Sequence, residues 1–531
     1  MNSKRIYLSL LFFLFFSYSK AAIIYVDNDS QGTNNGQTWA NAYHNLQTAL
    51  TNANFGDIIR MDKGTYIAPN GGFVLKDGVK IYGGYNVRYD NNGNIIPEWL
   101  INATRFFDGV ITTVSGNSTF AVSQNLSSES ILDGMTLKCS DVNYPVISLS
   151  SNVEFATNIN NCIFKDARVG IDFARYNQNY SLGLFSPSIN NCIFYTDFGI
   201  DIFSNGNNTN INLEVSNTKF MTVNASISFY NRNSVSGTAT ININNCSLNG
   251  GSPVRWTLDN ITANVIIDNS LFGNVVHSAL FNYNYPLGVY SPSNVEVNNT
   301  TFYRYDAALY SNVSSNIVAN FNNCLFWDGQ YAIRADSGIY TLNNCLLYNL
   351  NNLSCQTPNN NETIICNNSL YNQNPQFVST NPASPNYLKL SANSPARNAG
   401  DNAYAIGTAY GGNSRILEGT VDIGAYEFCP DGVNCQGTIG GGGTINPRKI
   451  STKHLENTTN DLLVYPNPIQ DVVKVKSKEK ILSIEILNVQ GQIISTVKNS
   501  NTIKLNNVAK GMYLLKVTTE KGIQTKRIVK E

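Results

Sequence analysis

The chain has 531 residues, 42% hydrophobic and only 14% charged, long enough for two or three domains with a sizeable core, which excludes a fibre, a disordered tail or a peptide hormone. Its 36 basic and 36 acidic side chains cancel overall but not locally: residues 22 to 447 hold 18 basic and 29 acidic groups, residues 448 to 531 hold 15 and 7, and an acidic body carries no nucleic-acid footprint. Eighty residues are Asn, a type depleted in strands and helices and at home in turns, so the chain turns very often.

Lys4 and Arg5 open the chain, Ile6 to Phe16 is an almost unbroken apolar run, and the small residues Ser19 and Ala21 precede a cut after Ala21. Residues 1–21 thus read as a secretory signal peptide. The run is about half of the roughly 20 apolar residues that a spanning helix needs, and no later segment qualifies, so the mature protein is expected to have no transmembrane segment. Next, Trp39, Tyr43, Leu46 and Leu50 recur at helical spacing behind Thr38, a residue type suited to an N-cap, and predict one short helix.

From about residue 158 the chain repeats, with NINNCIFKD ending at Asp166, SINNCIFYTD at Asp197, ININNCSLNG at Gly250, ANFNNCLFWDG at Gly329 and TLNNCLLYNL at Leu350. Aligned, nine units place Asn at one position: Asn161, Asn191, Asn217, Asn245, Asn269, Asn299, Asn323, Asn344 and Asn368. Two residues earlier runs an apolar column from Ile159 to Cys366. Directly after comes a small column, Cys162, Cys192, Thr218, Cys246, Ser270, Thr300, Cys324, Cys345 and Ser369, and two further on a large one, from Phe164 to Tyr371. Alternation in steps of two around a sharp turn means strand, turn, strand, and a repeat of this length with no helical period means a solenoid of about 11 to 13 coils. Stacked in parallel, equivalent residues lie about 4.8 Å apart. Stacked Asn side chains can then bond one another and the turn backbone, a structural role that outweighs a sugar-binding one. The Cys column reads as small core fillers, although Cys162 and Cys192 would approach bridging distance.

This pattern resembles the right-handed parallel β-helix, or pectate-lyase-like, superfamily over roughly residues 23 to 428, with the short helix plugging the open N-terminal end. After Asn374 the run through NYLKLSANSPARNAG to VDIGAYEF (Val421 to Phe428) resembles the choice-of-anchor Q segment that closes such helices, with Asn398 where that pattern has an acidic residue. Asp422 and Glu427 accordingly read as structural. Cys355 with Cys366, and Cys429 with Cys435, sit in loops where each pair can close a small ring. Residues 429–460 form a flexible Gly-rich linker. Residues 461–531 show short alternating strands with turns every ten or so residues, a small antiparallel β-sandwich. Their order, YPNP (Tyr465 to Pro468), ILNVQGQII, GMYLLKV and a basic end, resembles the type A C-terminal sorting domain of the type IX secretion system of Bacteroidota. That resemblance implies handling by the secretion machinery and a final place at the cell surface or in the medium.

The fold class expected is therefore all-β: a right-handed parallel β-helix over 22–428 followed by a β-sandwich. Such a fold does not choose a chemistry. His44, His277 and His454 lie in different regions, and neither a Ser/His/Asp arrangement nor metal-ligand spacing is visible. One constellation stands out. If Ile171 and Phe173 face inward, Asp172 faces out, and the same parity exposes Asp201, Ser228, Arg255 and Arg334. Asp172 and Asp201 would stack as a solvent-facing pair able to share a proton or seat Ca²⁺, with Arg255 as a clamp for a uronate carboxylate. No other cofactor is suggested. Tyr303, Tyr310 and Trp327 could stack on sugars. Two functions follow: a non-catalytic surface protein that binds glycans or another cell surface, or a polysaccharide lyase or glycoside hydrolase acting on an acidic polymer.

Overall fold

The computed structural model describes residues 21–87, 105, 112–174, 183–204, 208–231, 236–258, 260–282, 292–312, 317–352, 361–430, 462–465, 472–477, 479–487, 493–505, 509, 511–519 and 522–530. Residues 1–20 of the expected signal peptide, most of the linker, Cys355 and Cys435 fall outside them. The chain divides into two compact units, residues 1–449 and 450–531.

The first unit is a parallel β-solenoid. Thirteen strands, from Ile23–Val26 to Asn361–Asn367, stack into one sheet, here face 1. Its inward row is Ile24, Ile59, Ile81, Leu132, Ile159, Ile189, Val215, Ile243, Ile267, Val297, Phe321, Leu342 and Cys366, in unbroken register. Beyond face 1 a typical coil turns sharply, runs a short strand (face 2), bends, and runs another (face 3); in some coils one continuous strand spans both, as in Ile163–Ala174, Ile193–Ser204, Thr301–Ser311 and Leu325–Ala335.

The sharp turn explains the Asn column. All nine Asn residues have φ between 48° and 53°, the left-handed conformation that Asn tolerates better than other side chains bearing a Cβ. The following small residue satisfies the backbone there. Cys162, Cys246, Cys324 and Cys345 donate their thiols to the carbonyl two residues back at 3.2–3.4 Å, and Thr218, Ser270 and Thr300 do the same with hydroxyls at 2.7–2.9 Å. The Cys column is thus a donor column as well as a filler. Its thiols are free, so adjacent coils are not bridged, whereas Cys366 and Cys429 are disulfide-bonded. On face 2 the large column stacks its rings: Phe164 on Phe194 at 4.3 Å, Phe194 on Phe220 at 4.8 Å, Phe272 on Phe302 at 5.0 Å and Phe302 on Phe326 at 5.2 Å.

Two expectations are corrected. The N-terminal helix is two pieces: Thr38 caps only the 3₁₀ turn Trp39–Asn41, whereas Asn45 caps α1, Leu46–Asn52, through Oδ1 on the Gln47 amide (2.7 Å). The intervening Tyr43 bridges to Val26 in extended form, so Trp39 packs apart with Tyr25 and Tyr85 while Leu46, Ala49 and Leu50 enter the main core. The segment after Asn374 is a strap along the side, running back over the Asn corner. Asn323 donates to the Asp401 carbonyl (2.9 Å), Asn299 to that of Tyr404 (2.6 Å), Asn269 to that of Ile406 (3.0 Å) and Asn245 to the Thr408 hydroxyl (3.2 Å). The strap offers one acceptor per coil, spaced two to three residues apart where a fully extended chain would need only about 1.5 residues per 4.8 Å coil, because it is bent and includes the 3₁₀ turn Asn402–Tyr404.

The second unit pairs a three-stranded antiparallel sheet with a four-stranded one, over a core of Val473, Val475, Ile484, Ile486, Ile503, Leu505, Leu515 and Val517.

Candidate functional site

Face 3 carries the row expected from parity. Ser148, Asp172, Asp201, Ser228, Arg255, Phe281, Tyr310 and Arg334 are successive neighbours in register, so Asp172 and Asp201 do sit on adjacent coils. Their surroundings differ from the expectation of two solvent-facing carboxylates. Asp172 is half-buried, but Asp201 is only 1% exposed. Burial raises the Asp201 carboxyl above its usual range, and Ser228, Arg255 and Arg168 pull it partly back.

Arg255 is not a free clamp either. Its Nε donates to Ser228 Oγ at 3.0 Å, and its guanidinium lies 5.0 Å from the Phe198 ring centre and 5.2 Å from that of Tyr230. It is therefore folded back along its own face, where the two rings and the hydroxyl fix it. Parity could not show this, because Phe198 and Tyr230 flank the row from other columns. Further along, Phe281 stacks on Tyr310 (5.1 Å, 11°), and Arg334 lies over Tyr310 and pairs with Asp306 at 3.5 Å. Among the described residues, no group of three or more metal-ligating side chains is placed to hold an ion.

Two of the three proposed sugar platforms are taken by the strap. Tyr303 is buried and stacks on Trp327 at 4.7 Å, and Trp327 meets Phe377 of the strap at 5.1 Å; Trp327 and Tyr310 are both partly exposed, and Tyr310 lies away from the strap contacts. Asp422 and Glu427 are part of the strap's internal knot. Asp422 accepts the Asn398 amide at 2.7 Å and that of Phe428 at 2.6 Å; Glu427 accepts the Asp422 amide at 2.8 Å, and Arg415 between them donates to the carbonyls of Gly424 and Ala425. All three are buried.

The sequence reading passed over the outer surface of face 1. Asn212, Asn242, Asn264, Asn294 and Asn320 occupy outward positions on five consecutive strands, all at least partly exposed. Asn294 donates to Asn264 at 2.9 Å and Asn242 to Glu214 at 2.5 Å. The available signal was alternation: these Asn residues stand between the inward apolar positions of each unit.

The C-terminal unit decides where the chain goes. Residues 463–531 match the secretion system C-terminal sorting domain. The tail is a secretion sorting domain. Through it the chain is handled by type IX secretion and exported to the cell surface or the medium. No helix among the described residues is long and apolar enough to cross a membrane. A solved structure titled as the crystal structure of pectate lyase Pel9A is similar over 77% of this chain and 97% of its own, at 16% identity and a TM-score of 0.36. No curated protein matches the chain.

Proposed function

We propose that the exported solenoid is a non-catalytic rod that binds glycans at the cell surface or in the medium. The observation that carries this reading is the set of outward amides on face 1, Asn212, Asn264 and Asn294 in one column and Asn242 and Asn320 in the next, all at least partly exposed. Amides donate and accept at one group, as sugar hydroxyls do, and rigid parallel strands hold them at a fixed spacing without ordering cost on binding. The candidate acid pair supports the same choice, because Asp201 is buried and Arg255 is engaged by Ser228, Phe198 and Tyr230.

The test is to incubate the full-length protein with a panel of polysaccharides and measure retention, new reducing ends and unsaturated uronates together. Retention without product, lost when Asn242, Asn264 and Asn294 are changed to Ala, is the expected result. Product formation that disappears in D172N/D201N, with or without added Ca²⁺, would replace this reading by a lyase or hydrolase.

A further inference from the structure

Ile23–Val26 is the outermost strand of face 1 and pairs with Ile58–Met61. Its far end is also held from the other side, where the Tyr43 amide bonds the Tyr25 carbonyl at 2.8 Å. Its beginning is held by a carboxylate: the Ile58 amide donates to the Ala22 carbonyl at 2.9 Å, and the Ala22 amide donates to Asp57 Oδ1 at 2.7 Å.

Asp57 is buried. Its Oδ2 accepts the Asn54 amide at 2.8 Å, its own amide donates to the Asn54 carbonyl at 3.0 Å, and its carbonyl accepts the Lys80 amide at 3.0 Å, so the turn after α1 fixes the carboxylate in place. Among the described residues no basic side chain pairs with it. Lys76 donates instead to the carbonyls of Thr51 and Ala53, and Lys80 pairs with Glu129 at 3.4 Å. A buried carboxylate met by neutral amides and no cation is costly. The nitrogen on its Oδ1 belongs to the residue directly after the expected signal-peptide cut, and both Ala21 and Ala22 are exposed, so the bond between them is open to a peptidase.

We infer that removal of residues 1–21 completes an ion pair: the cut leaves an α-ammonium on Ala22 that sits on the Asp57 carboxylate and locks the first strand onto the solenoid. Hydrolysis adds one water across the Ala21–Ala22 peptide bond; the new carboxylate stays on Ala21, and the new amine stays on Ala22 and is protonated at neutral pH. In the precursor the same nitrogen is a neutral amide, whereas in the mature chain it is charged, and charge-assisted hydrogen bonds are about twice as strong. The first coil is therefore tightest only after processing. The inference rests on the signal-peptide reading and is independent of the glycan-binding one.

The exported protein is recovered and its N-terminus read by mass spectrometry; it should begin at Ala22, and any other first residue overturns the inference. Amide hydrogen exchange at Ile58, which bonds the Ala22 carbonyl, is then compared between chain 22–531 and the same chain with one Gly added before Ala22, both released from a fusion. The extension keeps the Ala22 N–H and both Asp57 bonds and only moves the charge away, so the fold is preserved. Ile58 should exchange about fivefold faster in the extended chain at pH 7. Pairing raises the amine above its ordinary value of about 8, so the added protection is present below that value and is lost as the pH is raised to 10. The helix α1 carries no titratable group, and Tyr25, Arg60, Lys76, Lys80, Tyr82 and Glu129 on the neighbouring segments are common to both chains and cancel in the ratio. In D57N the two chains should exchange alike. Equal rates in the parent at pH 7, a difference unchanged at pH 10, or a difference that survives in D57N would each overturn the inference. If D57N does not fold, the pH comparison in the parent decides by itself.

Discussion

Replacing Asn323 by Ala tests whether the Asn column holds the strap. Asn323 is fully buried at φ 52°. Its Nδ2 donates to Asn299 Oδ1 at 3.1 Å and to the Asp401 carbonyl at 2.9 Å, and its Oδ1 accepts the Asp401 amide at 2.8 Å. Three hydrogen bonds at about 1 kcal/mol each give about 3 kcal/mol. Forcing Ala into the left-handed region adds about 1 kcal/mol. Asn368 is the control: it has φ 49° but is exposed, so N368A should lose only the conformational part, about 1 kcal/mol. Only the two bonds to Asp401 break when the strap opens, because the bond to Asn299 lies within the column, so about 2 kcal/mol, roughly thirtyfold, enters the local opening constant. Amide hydrogen exchange at Ile423 and Tyr410 reports it, because these amides bond Ala396 and Ala425 at 2.8 Å and not Asn323. N323A should accelerate both by roughly thirtyfold over N368A. Equal rates in the two variants would refute the argument that the column anchors the strap.

Deleting residues 461–531 should leave the remainder inside the cell envelope, checked by fractionation and surface protease digestion; surface display of the truncated chain would count against the sorting role. Burial lifts the Asp62 carboxyl to about 7, against the pull of the Val87 and Lys63 amides. A raised folded-state value means that its contribution to stability is present below the ordinary carboxylate range and lost as pH rises through about 7. The melting temperature should therefore fall between pH 4 and 8 in the parent and fall less steeply in D62N, the remaining slope coming from other raised carboxyls such as Glu427, read by calorimetry. Burial also pushes the thiols of Cys139, Cys162 and Cys246 up to about 12, so the native protein should resist a thiol reagent at pH 8 and react at all three once unfolded.

Much of the solenoid was legible because stacking is periodic. The Ile159 to Cys366 column, the nine Asn turns and the Phe164 to Tyr371 column are each one contact repeated, so a sequence alignment is already a register. Parity likewise placed Asp172, Asp201, Ser228, Arg255 and Arg334 in one row. The sorting tail was legible from motif order, since three of its strand pairings, Leu462–Tyr465 with Val472–Ser477, Ile481–Leu487 with Ile493–Lys498 and Gly511–Thr519 with Gly522–Lys530, join neighbours in sequence. What periodicity could not supply was anything set by contacts between distant residues. Asp201 is buried and Arg255, two strands on, is folded back onto Ser228, and Tyr303 and Trp327 are covered because residues 377–390 return along face 2. Each is a choice among surfaces that repeat equally well along the coil axis, and only non-repeating contacts, made by particular side chains of nearby coils or by a returning chain, break that equivalence.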